Sequence, residues 1–263
     1  MKQIQIMPKT AQQMVYEYQH LPLGGKSVVC PYHMNIRKER VGLRVLVGKG
    51  DPGEIVKEVK VWAKLKDFDL YLADEKQIRD FMIERSIGID CSGFVTHVLG
   101  YWIKSEHRRR LWELVEYKNN DILSRIRRFF RPIENLGANT LTNLINCDPI
   151  TNVNDIQPGD LIRSKGKVKN SHHVTLISKV TKVNGKTTEI EYVHSQRYYG
   201  DQNGVKFGLI KITDLKRPLH KQEWLEVLDG VNYTWNGYMN QIEDNGVRRL
   251  KRVRIHFDTY EEE

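Results

Sequence analysis

An α+β fold is predicted by two patterns that divide the chain between them and by one residue at their junction. Apolar residues recur at helical spacing through most of the first half, while the part after Pro158 alternates with period two and carries hairpin chemistry. The junction residue is a cysteine, in Gly88-Ile89-Asp90-Cys91-Ser92-Gly93-Phe94-Val95. After Asp90, the residues Phe94, Val95, Val98, Leu99 and Trp102 repeat at helical spacing and place Cys91 in a helix's first turn. There the unpaired backbone N–H groups and the positive end of the helix dipole favour a thiolate and can hold an oxyanion.

The elements follow in order. Thr10 to Tyr18 reads as a short helix and Val41 to Val47 as a strand. Asp51-Pro52-Gly53-Glu54 starts a helix running to about Lys66, with Asp51 as N-cap, Pro52 at the first helical position, and a stripe of Ile55, Val59, Trp62 and Leu65 to bury. Without a Gly/Ser-rich linker, residues 1–70 are expected to form an appendage packed on a catalytic domain of residues 71–263. A charged helix spans Asp74 to Arg85, and the helix begun by Cys91 is expected to end near Lys104.

A basic insertion at about residues 104–145 comes next. Between Tyr101 and Pro132 stand nine Lys/Arg residues against four acids, a local net of +5 in a chain of net charge +9. Leu111, Trp112, Leu114, Ile122, Leu123, Ile126, Phe129 and Phe130 are interleaved with them, as in two short amphipathic helices that form a lid or dock on the core. Such a surface attracts an anionic polymer: a wall glycan, nucleic acid or a membrane surface.

After the turn Pro158-Gly159-Asp160 the chain reads as an antiparallel meander. Leu176–Val183 and Thr188–Val193 flank Asn184-Gly185, a strong hairpin signal, and Gly208 to Ile212 forms a further strand. Gly246 to Ile255, with its five basic residues, reads as an edge strand. Alternation puts His173, Thr175 and Ile177 on one face and His172, Val174, Leu176 and Ser178 on the other, so only one of the two adjacent histidines can face Cys91. The hairpin brings His173 and His194 close although 21 positions separate them. A thiol near neutral pH needs a base within hydrogen-bond reach, and that base needs a third group to fix its tautomer.

Four segments together resemble the NlpC/p60 family of cysteine peptidases: Asp90-Cys91-Ser92-Gly93-Phe94-Val95, then Pro158-Gly159-Asp160-Leu161, then His173-Val174-Thr175-Leu176, then Tyr192-Val193-His194. The resemblance implies a papain-like core, with the nucleophile's helix packed on an antiparallel sheet that carries both histidines. It makes Cys91 the nucleophile and His173, directly before the valine, the general base and later acid. His194 becomes the group that orients the His173 ring, with Asp90, Ser92 and His172 as substrate-binding or orienting residues. The implied reaction is cleavage of an amide bond through a thioester, in a peptidoglycan stem peptide. Where the family carries a Tyr-x-Trp-Gly-Gly-like stretch, this chain has its charged helix, and 82 positions separate Cys91 from His173. Two other classes share these features: a toxin-like deamidase or transferase acting on a protein, and a non-catalytic module binding an anionic polymer.

The remaining expectations are mostly exclusions. Hydrophobic residues make up 40% of the 263, which suits a globular core, and no segment approaches the apolar length of a membrane span. Met1 to Lys9 has no apolar core of a signal peptide, so the chain is expected to act in the cytoplasm or to leave by a non-classical or phage route. Cys30 and Cys147 are read as packing residues without a disulfide framework, and neither metal nor cofactor is expected. No phosphate loop, dinucleotide fingerprint or zinc-protease motif competes with the cysteine site.

Overall fold

In this computed structural model, residues 1–34, 44–119, 121–166 and 172–262 are described. The chain opens with β1 (Lys2–Ile6), α1 (Lys9–Gln19) and a small hairpin of β2 (Leu21–Leu23) and β3 (Lys26–Val28). Four helices follow, α2 (Pro52–Leu65), α3 (Glu75–Glu84), α4 (Cys91–His107) and α5 (Ile122–Phe130), then the short α6 (Ala138–Thr142). The strands come next: β4 (Cys147–Ile150), β5 (Leu161–Ser164), β6 (His173–Val183), β7 (Lys186–Gln196), β8 (Gly204–Lys211) and β9 (Glu223–Trp224). α7 (Tyr233–Met239), β10 (Gly246–Leu250) and β11 (Asp258–Glu262) complete the chain.

Local chemistry accounts for the helix starts. Asp51 and Glu54 form a reciprocal capping box with Pro52 at the first helical position of α2, and Asp74 with Gln77 does the same for α3. Asp90 caps α4, its carboxylate accepting from the Gly93 N–H at 2.5 Å. Gly93 has a second reason to be glycine, because a Cβ there would lie 2.3 Å from the Gly48 carbonyl oxygen. Asn184 and Gly185, with φ of 50° and 74°, supply the turn between β6 and β7.

The fold is α+β around one mainly antiparallel sheet. Its order is β4-β10-β5-β6-β7-β8-β9, and β1, flanked by β11, extends the β5 side of the long β6. The first 70 residues thus contribute a strand to the main sheet. One face of the sheet, with Val174, Leu176 and Val193, packs against α1 and α4, where Trp102, Phe94 and Tyr18 are fully buried. The other face buries Ile177, Ile190, Tyr192 and Ile210 against Trp224 and Tyr238.

Several expectations need correction. Arg44–Val47 is a 3-10 turn and not part of a strand, and residues 41–43 of that expected strand lie outside the described residues. α4 continues three residues past Lys104 to His107. In the insertion, Leu111–Glu113 is only a 3-10 turn that buries Leu111, and α5 is the amphipathic helix. β10 is no edge strand, because β4 and β5 pair with it on its two sides. Its arginines are there for partners inside the protein: Arg249 grips Asp160 with two hydrogen bonds of 2.7 Å, and Arg248 is 7% exposed. The Pro158-Gly159-Asp160 turn is therefore tied to the C-terminal strand through a carboxylate that is only 1% exposed.

Candidate active site

β6 and β7 pair from Leu176 and Val193 outward to their hairpin, but both strands continue the other way, to His173 and Gln196, beyond that register. At this fork the sheet opens and the start of α4 enters. Ser195 Oγ donates to the Ile89 carbonyl at 2.7 Å, tying β7 to the segment before the cysteine. The Ile177 N–H and C=O both point to the β5 side, to Asp160 and Gly159, so the alternate groups of His172 and Val174 point toward β7. Cys91 meets those groups: Sγ lies 3.8 Å from the His172 carbonyl and accepts from the Val174 N–H. The sulfur thus occupies a ladder position where β7 has moved away, directly beside the backbone of His173.

The histidines form a buried series behind it. Nε2 of His173 is 2.9 Å from Nδ1 of His194, and Nε2 of His194 is 3.0 Å from Oε1 of Glu226. Oε2 of Glu226 accepts from the Tyr192 hydroxyl and from Thr234 Oγ1, both at 2.7 Å, and Lys206 Nζ lies 3.5 Å from Oε1. Gly208 makes room for this arrangement, since a Cβ there would strike the Tyr192 ring at 2.2 Å. Burial works against the Glu226 charge, but the adjacent His194 and the hydrogen bonds from His194, Tyr192 and Thr234 outweigh it and hold the carboxyl down at about 2.

An ionised Glu226 can only accept, so His194 donates to it from Nε2. In the state with both rings neutral, His194 Nδ1 accepts and His173 donates from its own Nε2. The lone pair of His173 then sits on Nδ1, the nitrogen the series leaves unused. Burial, and then His194, push the His173 imidazole down to about 3, so at neutral pH it is an uncharged base.

The thiol is likewise uncharged at rest. Burial, and then the Asp90 carboxylate, push Cys91 up to about 12, against the N–H groups of Val174 and Ser92 and the charge of Lys49. Among the described residues no hydrogen bond joins Sγ to an imidazole, and the resting S–H points to the His172 carbonyl. The sequence-predicted residues thus divide into groups. Cys91 Sγ meets the backbone on either side of His173, at the His172 carbonyl and the Val174 N–H, and His173 and His194 pair with each other at the fork. Asp90 and Ser92 lie just below it on Lys49, whose Nζ is 3.0 Å from Asp90 Oδ1, 2.5 Å from Ser92 Oγ and 3.2 Å from the Leu136 carbonyl. The His172 side chain stands apart, with its pKa lowered by burial and by Arg163 and Lys165.

Three residues of the site were missed by sequence reasoning. Glu226 follows His194 by 32 positions in a stretch without periodicity, and Lys49 precedes Asp90 by 41. Tyr32 is bridged to Ile89, and burial, followed by the charges of Cys91 and Asp90, raises its phenol well above the ordinary range. Neither Tyr32 nor Lys49 belongs to a recognisable spacing. Away from this site, Glu106, His107 and His256 bring ligand atoms within 4.8 Å of one another, but Glu106 is already engaged by Trp102 Nε1 and His107 by the Arg254 carbonyl. Cys30 and Cys147 are buried free thiols. Comparison with protein families, with curated proteins and with solved structures finds no match to this chain.

Proposed function

We propose that the chain is a papain-like cysteine hydrolase that cleaves an amide bond through a thioester on Cys91. The observation that carries this reading is the juxtaposition at the β6/β7 fork: a helix-N-terminal sulfur beside the backbone of His173, whose ring is held through Nε2 by a series ending at Glu226 and leaves Nδ1 without a partner in that series. In the first step Sγ attacks the carbonyl carbon as its proton passes to Nδ1 of His173. The Cys91 backbone N–H, first in its helix and without an intrahelical acceptor, donates to the oxyanion, with the Tyr32 hydroxyl as a second donor. Collapse breaks the C–N bond, the amine leaves with the proton from His173, and a thioester remains. Water, deprotonated by the same imidazole, then releases the acid and restores the thiol.

Because thiol and imidazole are both neutral at rest, the proton moves during attack rather than beforehand. By its resemblance to NlpC/p60 enzymes, we assign a peptidoglycan stem peptide as the substrate. The test is incubation with purified muropeptides and mass analysis of the products, for the parent, Cys91→Ala and His173→Ala. Cleavage by the parent and its loss in both variants is expected, and a parent that leaves muropeptides and protein amides alike intact overturns the hydrolase reading.

A further inference from the structure

Among the described residues, α5 is the one amphipathic helix whose apolar side faces outward. Ile122, Leu123, Ile126, Phe129 and Phe130 fall at i, i+1, i+4, i+7 and i+8, a stripe about 120° wide that would normally be the buried side. Here they are exposed: 74%, 79%, 51%, 81% and 75% respectively, and α5 buries no residue. The helix sits with its polar side on the protein, where Arg128 donates to the Asn119 carbonyl and lies over the Tyr117 ring at 4.5 Å. The side that folding would ordinarily cover has been turned to solvent.

The charges say what covers it. Arg125 and Arg127 stand about 40° beyond the two margins of the stripe, so a cation borders it on each side. From Lys118 to Ile133 there are five cations and one acid, and that acid, Asp121, is engaged in capping the helix through the Ser124 N–H. An apolar stripe rimmed by arginine fits a surface that is apolar inside and anionic at its margin. A second copy of this chain fits poorly, because facing stripes would set arginine against arginine. The area is also small for such a partner, about 600 Å² from five side chains, where a stable interface takes about 800 Å² from each side.

We propose that α5 is a membrane-surface anchor, lying in the plane of an anionic bilayer with Leu123, Phe129 and Phe130 below the headgroups and Arg125 and Arg127 on the lipid phosphates. The proposal is independent of the hydrolase reading. The full chain would be sedimented with vesicles of phosphatidylcholine alone and of phosphatidylcholine mixed with phosphatidylglycerol, beside Phe129→Ser/Phe130→Ser and Arg125→Gln/Arg127→Gln. Both variants alter exposed residues, and their folding is checked by circular dichroism.

Partitioning at least tenfold stronger onto the anionic vesicles is expected for the parent, with a loss of at least tenfold in each variant. Phe130→Trp should be quenched by brominated lipid. A parent left in the supernatant overturns the proposal, as does a phenylalanine variant that binds like the parent, since binding would then be adsorption of charge alone. A parent that is dimeric in solution, and made monomeric by the phenylalanine substitutions, also overturns it and assigns the stripe to a second copy.

Discussion

Two imidazoles and a carboxylate stand in series, and when both rings are neutral only one direction of hydrogen bonding at each link is compatible with an ionised Glu226. In the proposed reaction Glu226 is a positioning residue: it would act on Cys91 through two rings, by favouring one tautomer of His173 and by stabilising the imidazolium formed there. Glu226→Gln keeps the shape but gives up the charge. It should lower kcat by about 10- to 100-fold with KM unchanged. A merely structural role would not alter nitrogen-15 shifts, whereas loss of the Nε2–H tautomer at His173 would. If both kcat and the tautomer survive the substitution, Glu226 has no part in the reaction. The resting thiol gives a second prediction. With Cys91 pushed up to about 12 by burial and Asp90, iodoacetamide labelling should rise about tenfold per pH unit from pH 6 to 9. A plateau reached at low pH would mean a preformed thiolate–imidazolium pair instead. Cys91, at 4% exposure, should still label before Cys30 and Cys147, which are at 0%.

At the scale of elements, Lys49 joins three parts of the chain that sequence keeps apart. It reaches α4 through Asp90 and Ser92 and the segment after α5 through the Leu136 carbonyl, so the insertion is anchored to the first turn of α4. Lys49→Met removes one partner of a pair in which the lysine side chain is 6% exposed and the aspartate 25%. The loss should be about 2 kcal/mol, less than for a fully buried pair because Asp90 keeps some water. It is read from the denaturant midpoint, and an unchanged midpoint would show that the lysine is not part of what holds α4 in place. Which elements could be read from sequence follows the same division. The starts of α2, α3 and α4 were legible because each carries its cap within four residues, and the β6–β7 hairpin because Asn184-Gly185 dictates its turn. His173 and His194 were legible as neighbours because that hairpin superposes them. β10 was not legible as an interior strand, because its arginines suggest solvent, whereas Arg248 and Arg163 are buried and Arg163 is satisfied by Asp244, Asn139 and Thr142. Glu226 and Lys49 reach the fork only through tertiary folding, and no local pattern announces them.

For the whole molecule, the burial of imidazoles sets how the fold answers to acid. His33, His97 and His173 are each lowered from the ordinary value of 6.5, burial being the largest cause in every case. All three are harder to protonate in the folded chain than in the unfolded one, which takes up protons below 6.5, so stability is complete above that pH and falls as pH drops through it. For His173 the loss is up to about 1.4 kcal/mol per pH unit once the unfolded form is protonated. For His173 the loss continues down to about 3, where the folded form also protonates. Glu226 acts in a different window: its carboxyl is lowered from 4.5 to about 2, so its contribution is intact above 4.5 and disappears only as pH falls toward 2. Loss of stability between pH 6.5 and 4.5 should therefore belong to the histidines. Urea midpoints measured from pH 8 to 4.5 are expected to be level at first and then to decline steadily below pH 6.5. His97→Gln, which can keep a donor to the Lys49 carbonyl without a titrating ring, should make that decline shallower. A midpoint that stays level down to pH 5 in the parent would mean that these rings are solvated enough to protonate in place, and the neutral base assigned to His173 would go with them.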